Sequence, residues 1–201
     1  MENEPLIDEA LKTELSALYR AGDRHYHNLT HIEAMLALAG DYRGLLGDPE
    51  AVEAAIWFHD AIYDSKAKDN EAQSAVLAET RLAGRGDAGR LARISAMILA
   101  TATHHLPRFE DAAAMRDAGL FLDVDLSILG AAPAAFDAYE RAVRREYDWV
   151  EEPMWRAGRA AVLKAFLARP HIFHTEEFRR RFEPQARLNM ARSLEALESS
   201  T

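Results

Sequence analysis

The amino-acid sequence predicts an all-α chain in which residues 1–201 form a single helical domain. Three observations lead there. Apolar residues recur at three- and four-residue intervals along nearly every segment, the period of a helix laid against a core rather than the alternation of a half-buried strand, and no strand-turn-strand pattern is present. The breaks between periodic stretches, GDYRGLLGDP (40–49), GRGDAG (84–89), DAGLFLDVD (117–125) and ARPHIFH (168–174), are short and unlike interdomain linkers. A chain of 201 residues also suffices for one substantial core and is too short for two comfortable ones.

The first helix is expected from Leu6 to Tyr19, where Ile7, Leu11, Leu15 and Leu18 share a face. The second runs from about Thr30 to Ala39, with Ile32, Leu36 and Ala39 inward. A third begins at Asp48-Pro49, a carboxylate that can accept the first free N–H groups followed by a residue preset for the first helical position. It ends near His59-Asp60. Further helices are expected at about 69–83, 88–104, 133–149, 155–168 and 175–197. Arg85-Gly86-Asp87 spells an adhesion tripeptide, but its place between two helical stretches makes it a connecting loop.

Composition narrows the function classes. The absence of cysteine removes disulfides, thiolate metal sites and cysteine nucleophiles together, and fits a reducing compartment. The start, MENEPLIDEA, lacks the basic residues and apolar run of a signal peptide, and no stretch approaches the roughly 20 apolar residues of a membrane span. A cytoplasmic protein with no membrane partner is expected. A formal net charge of −9 speaks against a nucleic-acid polymer as partner, since phosphate-backbone binding needs a basic stripe. It leaves room for a small anionic substrate, because a metal ion inverts the field inside a pocket.

Four places set histidine or aspartate among apolar residues: RHYHNLTHI (24–32), His59-Asp60 in AIWFHDAIYD, His104 and His105 closing ILATATHH, and Asp123 and Asp125 in FLDVDLSILG. Each alone has a structural explanation. A histidine closing an apolar helix commonly caps it, and Asp125 is equally suited to be the N-cap of a segment starting at Leu126. His27 and His31 are four apart and share a face if helical geometry begins by Asn28, so spacing does not choose between them. His25, His171 and His174 read as surface residues, and Arg20 and Arg24 as solvated. Together, however, buried imidazoles and carboxylates are costly unless paired or metal-bound. Imidazole plus carboxylate without thiolate suits a divalent Mn, Fe, Ni, Co, Zn or Mg ion.

The order His31, His59-Asp60, Asp125 resembles the HD superfamily of metal-dependent phosphohydrolases. The pieces YHNLTHI, WFHDAIYD, DNEAQSA, TATHH, FLDVDLSILG, VRREYDWV and ARLNM, spread over about 24–192, are similar to an uncharacterised bacterial subfamily of predicted HD phosphohydrolases. Tyr26–His31 and Val124–Ser127 also resemble the YHNxxH and ADLS segments of cyclic-nucleotide phosphodiesterases. Their further histidine is absent, Tyr63-Asp64 standing instead, so cyclic nucleotides are not implied as substrate.

The resemblance implies a helical bundle of the HD-domain type. It implies one or two divalent metals held by His31, His59, Asp60 and Asp125, with Asp60 able to bridge towards a second, and a metal-activated water attacking phosphorus. His27 would supply the proton for the leaving group, and Glu71 would act as a base or orient the water, unless it merely favours the first turn of its helix. His104 would touch the phosphate or a second metal. Among Arg144, Arg145, Arg159 and Arg187, the resemblance favours Arg159 and Arg187 as phosphate donors. The substrate would be a nucleotide or another small phosphoester. Two other readings remain: a di-iron HD-type oxygenase using His104 and His105, and a non-catalytic nucleotide-sensing helical module. The oligomeric state, monomer or homodimer, is not legible.

Overall fold

The computed structural model describes residues 5–20, 22 and 24–199, and residues 1–4, part of the stretch read as lacking a signal peptide, lie outside them. Among the described residues there are nine α-helices, two short 3-10 turns and no strand, as the spacing predicts. The helices are α1 (Glu9–Arg20), α2 (Leu29–Asp41), α3 (Pro49–Phe58), α4 (Asn70–Arg81), α5 (Ala88–Ala100), α6 (Ala112–Leu126), α7 (Pro133–Glu146), α8 (Glu152–Leu167) and α9 (Glu176–Ser199). The 3-10 turns are Arg43–Leu45 and Ser127–Gly130. The chain divides into two compact units, the first ending at Val124 and the second beginning at Asp125. No helix among the described residues is long and apolar enough to cross a membrane alone.

In the first unit α3 is the central element, packed by α1, α2, α4 and α5. Seven of its ten residues are buried, and Ala51, Ala54 and Ala55 let neighbouring helices come close while Ile56 and Phe58 fill the space between. Its start is built as expected: Asp48 accepts the N–H of Ala51 at 3.1 Å, and Pro49 opens the first turn. Arg90 grips the same carboxylate through Nε and Nη2, both at 2.6 Å.

Burial alone would raise the Asp48 carboxyl, but Arg90 and the Ala51 N–H more than offset this and hold it below its ordinary value. A carboxyl depressed in the folded state stabilises above the unfolded value of about 4, and that stabilisation is lost as pH falls through the folded value. Urea unfolding between pH 6 and 3 should therefore show wild type losing stability more steeply than Asp48→Asn, which keeps the cap but has no carboxyl to protonate.

Helix α6 corrects the sequence reading. DAGLFLDVD (117–125), expected to be a break, lies inside its fifteen residues. Asp117, Gly119 and Asp123 look like breakers, but every residue from 117 to 124 is buried, so no polar face marks the helical period. Asp117 belongs there because its carboxylate accepts the N–H groups of Gly47 and Asp48, each at 2.8 Å, in the loop that leads into α3. The predicted helix 88–104 stops instead at Ala100, and His104 adopts a left-handed backbone with φ of 52°.

In the second unit the 3-10 turn Ser127–Gly130 packs on α9. A Cβ at Gly130 would lie 2.6 Å from the Phe182 carbonyl oxygen, so bare backbone is required there. Asn189 of α9 donates to the carbonyls of Leu129 (2.9 Å) and Ala131 (2.8 Å), closing the same contact. Buried Glu183 accepts the N–H groups of Ile172 and Phe173 and pairs with Arg187.

Candidate metal centre

The centre begins with the caps of two helices. Asn28 accepts the Thr30 N–H at 2.9 Å and so starts α2 at Leu29, which puts His31 in the first turn of the helix. His27 precedes the cap. The two histidines therefore do not share a helical face, the premise under which spacing treated them alike; their rings lie 6.4 Å apart, edge to face. His27 instead stacks on Tyr63 at 4.3 Å.

His59 is the residue on which α3 ends, its N–H donating to Ala55. Its side chain is 1% exposed. The ring nitrogen Nδ1 lies 2.9 Å from the Ile56 carbonyl oxygen, and a carbonyl only accepts, so Nδ1 carries the proton of that bond. The other nitrogen, Nε2, stands 3.0 Å from Asp60 Oδ2. A neutral His59 would therefore set a lone pair against a carboxylate oxygen. A proton shared between the two atoms, or a cation near both, would satisfy the contact.

The surroundings bring further donor atoms to the same place. His31 Nε2 lies 4.0 Å from the same Asp60 oxygen. Ligand atoms of His31, His59 and Asp125 all lie within 4.8 Å of one another. Asp125 sits in the last turn of α6, and the helix is continuous through it, so it is no N-cap for Leu126. Atoms sharing one ion at roughly 2.0–2.2 Å bonds stand about 3–4 Å apart, close to the spacing of this group. A proton serves one pair of atoms, whereas two imidazoles and a carboxylate converge here. The Nδ1–Ile56 bond is also the kind of outer contact that fixes a ligand imidazole's tautomer and aim. The donor set fits a divalent ion.

Other expected site residues fall elsewhere. Asp123, two residues before Asp125, is fully buried and lies outside the converging group. Glu71, His104 and His105 are not part of the group either. Glu71 lies in the first turn of α4. The motif around it serves the structure. Asn70 exchanges hydrogen bonds with the backbone of Asp64, and Ser74 Oγ accepts the Ile62 N–H and donates to the Ile62 carbonyl. These two residues, not singled out in the sequence, hold the turn after His59-Asp60 against α4.

Arg187, expected to bind phosphate, is committed within its own unit. Its Nε pairs with Glu183, Nη1 donates to the Leu167 carbonyl, and Nη2 to those of Arg169 and Pro170. It clamps the ARPHIFH loop. Arg144 likewise donates to the Tyr147 and Val150 carbonyls and pairs with Glu152.

Arg159 differs. Nε and Nη2 meet Glu140, Nη2 also donates to the Tyr139 hydroxyl at 3.0 Å, and Nη1 has no partner among the described residues. Burial pushes the Tyr139 phenol up, the Glu140 and Asp125 charges push the same way, and Arg159 opposes them. Within the second unit, Tyr139 thus feels both the Arg159 group and the Asp125 carboxylate.

Arg24 is not solvated as the sequence suggests. It donates from Nη1 to the carbonyls of His27 (3.0 Å) and Asp60 (2.7 Å), and from Nη2 to that of Ala61 (2.9 Å). No protein-family model, curated protein or solved structure matches the chain.

Proposed function

We propose that the chain is a metal-dependent phosphohydrolase acting on a nucleotide or another small phosphoester. The observation that carries the reading is the convergence of His31, His59 and Asp125, with Asp60 held against His59. The sequence resemblance to HD phosphohydrolases supplies the reaction class. A divalent ion in such a site polarises a phosphoryl oxygen and acidifies a water.

The chain's own residues then have distinct roles. His31, His59 and Asp125 hold the ion, and Asp60 accepts a proton or adds a ligand beside His59. His27, outside the helix and stacked on Tyr63, is the proton donor to the leaving oxygen. Arg159 offers Nη1 to a phosphate oxygen while Glu140 and Tyr139 fix the rest of its guanidinium.

The test is a screen of Mn, Fe, Co, Ni, Zn and Mg against nucleotides and small phosphoesters, following phosphate release and oxygen consumption together. Metal-dependent phosphate release is the expected result. Oxygen uptake without phosphate release would replace the reading with an oxygenase, and tight nucleotide binding without either would replace it with a sensor.

A further inference from the structure

The two segments that bring imidazoles to the centre, 24–31 and 57–63, are separate in sequence, and residues 24–28 belong to no helix. The Arg24 side chain joins them. The Arg24 guanidinium spans the His27 carbonyl on the first segment and the Asp60 and Ala61 carbonyls on the second. Two aromatic rings lie beside it: its central carbon is 5.2 Å from the centroid of the Tyr19 ring and 5.5 Å from that of the Tyr63 ring. Tyr19 in turn donates its hydroxyl to the Trp57 carbonyl at 3.0 Å, and Tyr63 carries the His27 ring.

We propose that Arg24 is a positioning residue of the metal centre: by holding the His27 and Asp60 carbonyls on one guanidinium, it sets the separation between the segment carrying His31 and the turn carrying His59 and Asp60. The inference rests on reading His31, His59 and Asp125 as metal ligands. A guanidinium suits this role because its planar fork reaches several carbonyls at once and stacks between aromatic faces, which a lysine ammonium cannot reproduce. Its charge also answers the partial negative charge of the carbonyls gathered just beyond the end of α3. A slip of one segment against the other would change the 4.0 Å approach of His31 Nε2 to Asp60 Oδ2, and with it the bite offered to an ion.

Arg24→Lys keeps the charge and loses the fork. Co²⁺ titration followed by visible absorption reads affinity and coordination geometry without any substrate. Arg85→Lys is the control, since Arg85 also reaches a backbone carbonyl (Leu6, 3.5 Å) in the same unit, pairs besides with the Asp8 carboxylate (2.7 Å), and touches none of the centre's residues. Arg24→Lys should weaken Co²⁺ binding about 10- to 100-fold and alter the band pattern, the usual consequence of losing a ligand's outer support. Arg85→Lys should lose some stability and leave both unchanged. Arg24→Gln should weaken Co²⁺ binding in the same direction. An unchanged affinity and spectrum in folded Arg24→Lys, equal changes in the Arg85→Lys control, or loss of helicity in both Arg24 variants would overturn the proposal alone. A wild-type protein that takes up no Co²⁺ would overturn it together with the metal reading.

Discussion

Replacing His59 by alanine is expected to strip the protein of its metal. Wild-type protein isolated without chelator should carry one to two equivalents of a divalent ion per chain by elemental analysis, and His59→Ala should carry none. The imidazole is engaged at both nitrogens: Nδ1 is tied to Ile56 and Nε2 stands against Asp60. No other side chain at position 59 reproduces both. The loss should extend to folding, because the Asp60 side chain, only 15% exposed, loses the group 3.0 Å from it. Losing a hydrogen-bonding partner in a largely buried site costs about 1–3 kcal/mol, so the expected loss is on the order of 2 kcal/mol by urea unfolding. Retention of stoichiometric metal in His59→Ala would exclude the centre as drawn.

The second large effect separates His27 from His31. On the proposed roles, His31→Ala loses metal and turnover together. His27→Ala keeps its metal and loses about 10²–10⁴-fold in turnover, the usual worth of a positioned general acid. Its deficit should shrink with a nitrophenyl ester, whose leaving group departs without a proton. The geometry motivates different outcomes, since His31 lies in the first turn of α2 within the converging group while His27 sits before the cap on Tyr63. Metal loss in His27→Ala with retention in His31→Ala would reverse the roles. Small, equal effects would make both residues structural.

The helical class was readable because most elements expose one face, so Leu11, Leu15 and the Asp48-Pro49 start announce themselves. Helix α6 was not, because a helix buried along 117–124 has no polar face to set its period, and its aspartates look like turn residues until their partners are seen. The candidate ligands were legible as costly groups in apolar company. What joins them was not. Arg24 and Arg187 resemble any other charged residue in a sequence, and only the fold shows that their donors go to backbone carbonyls brought near by distant segments. Likewise, nothing in the string HYHNLTH says whether Asn28 lies inside the helix or caps it, and that one step decides what His27 faces.

The contact at Gly130 bears on which sequences the chain tolerates. Position 130 has room for a hydrogen atom and nothing larger, since the Phe182 backbone stands where a methyl group would go. In a library randomised at this codon and sorted for folded protein, glycine alone should survive. Gly158, in the middle of α8, has nothing within 4 Å of the same methyl position. Alanine there should be accepted and should add up to about 1 kcal/mol, the ordinary helix preference of alanine over glycine. Two residues of the same kind thus carry opposite mutational constraints: one is fixed by a neighbouring backbone, and the other is free to drift.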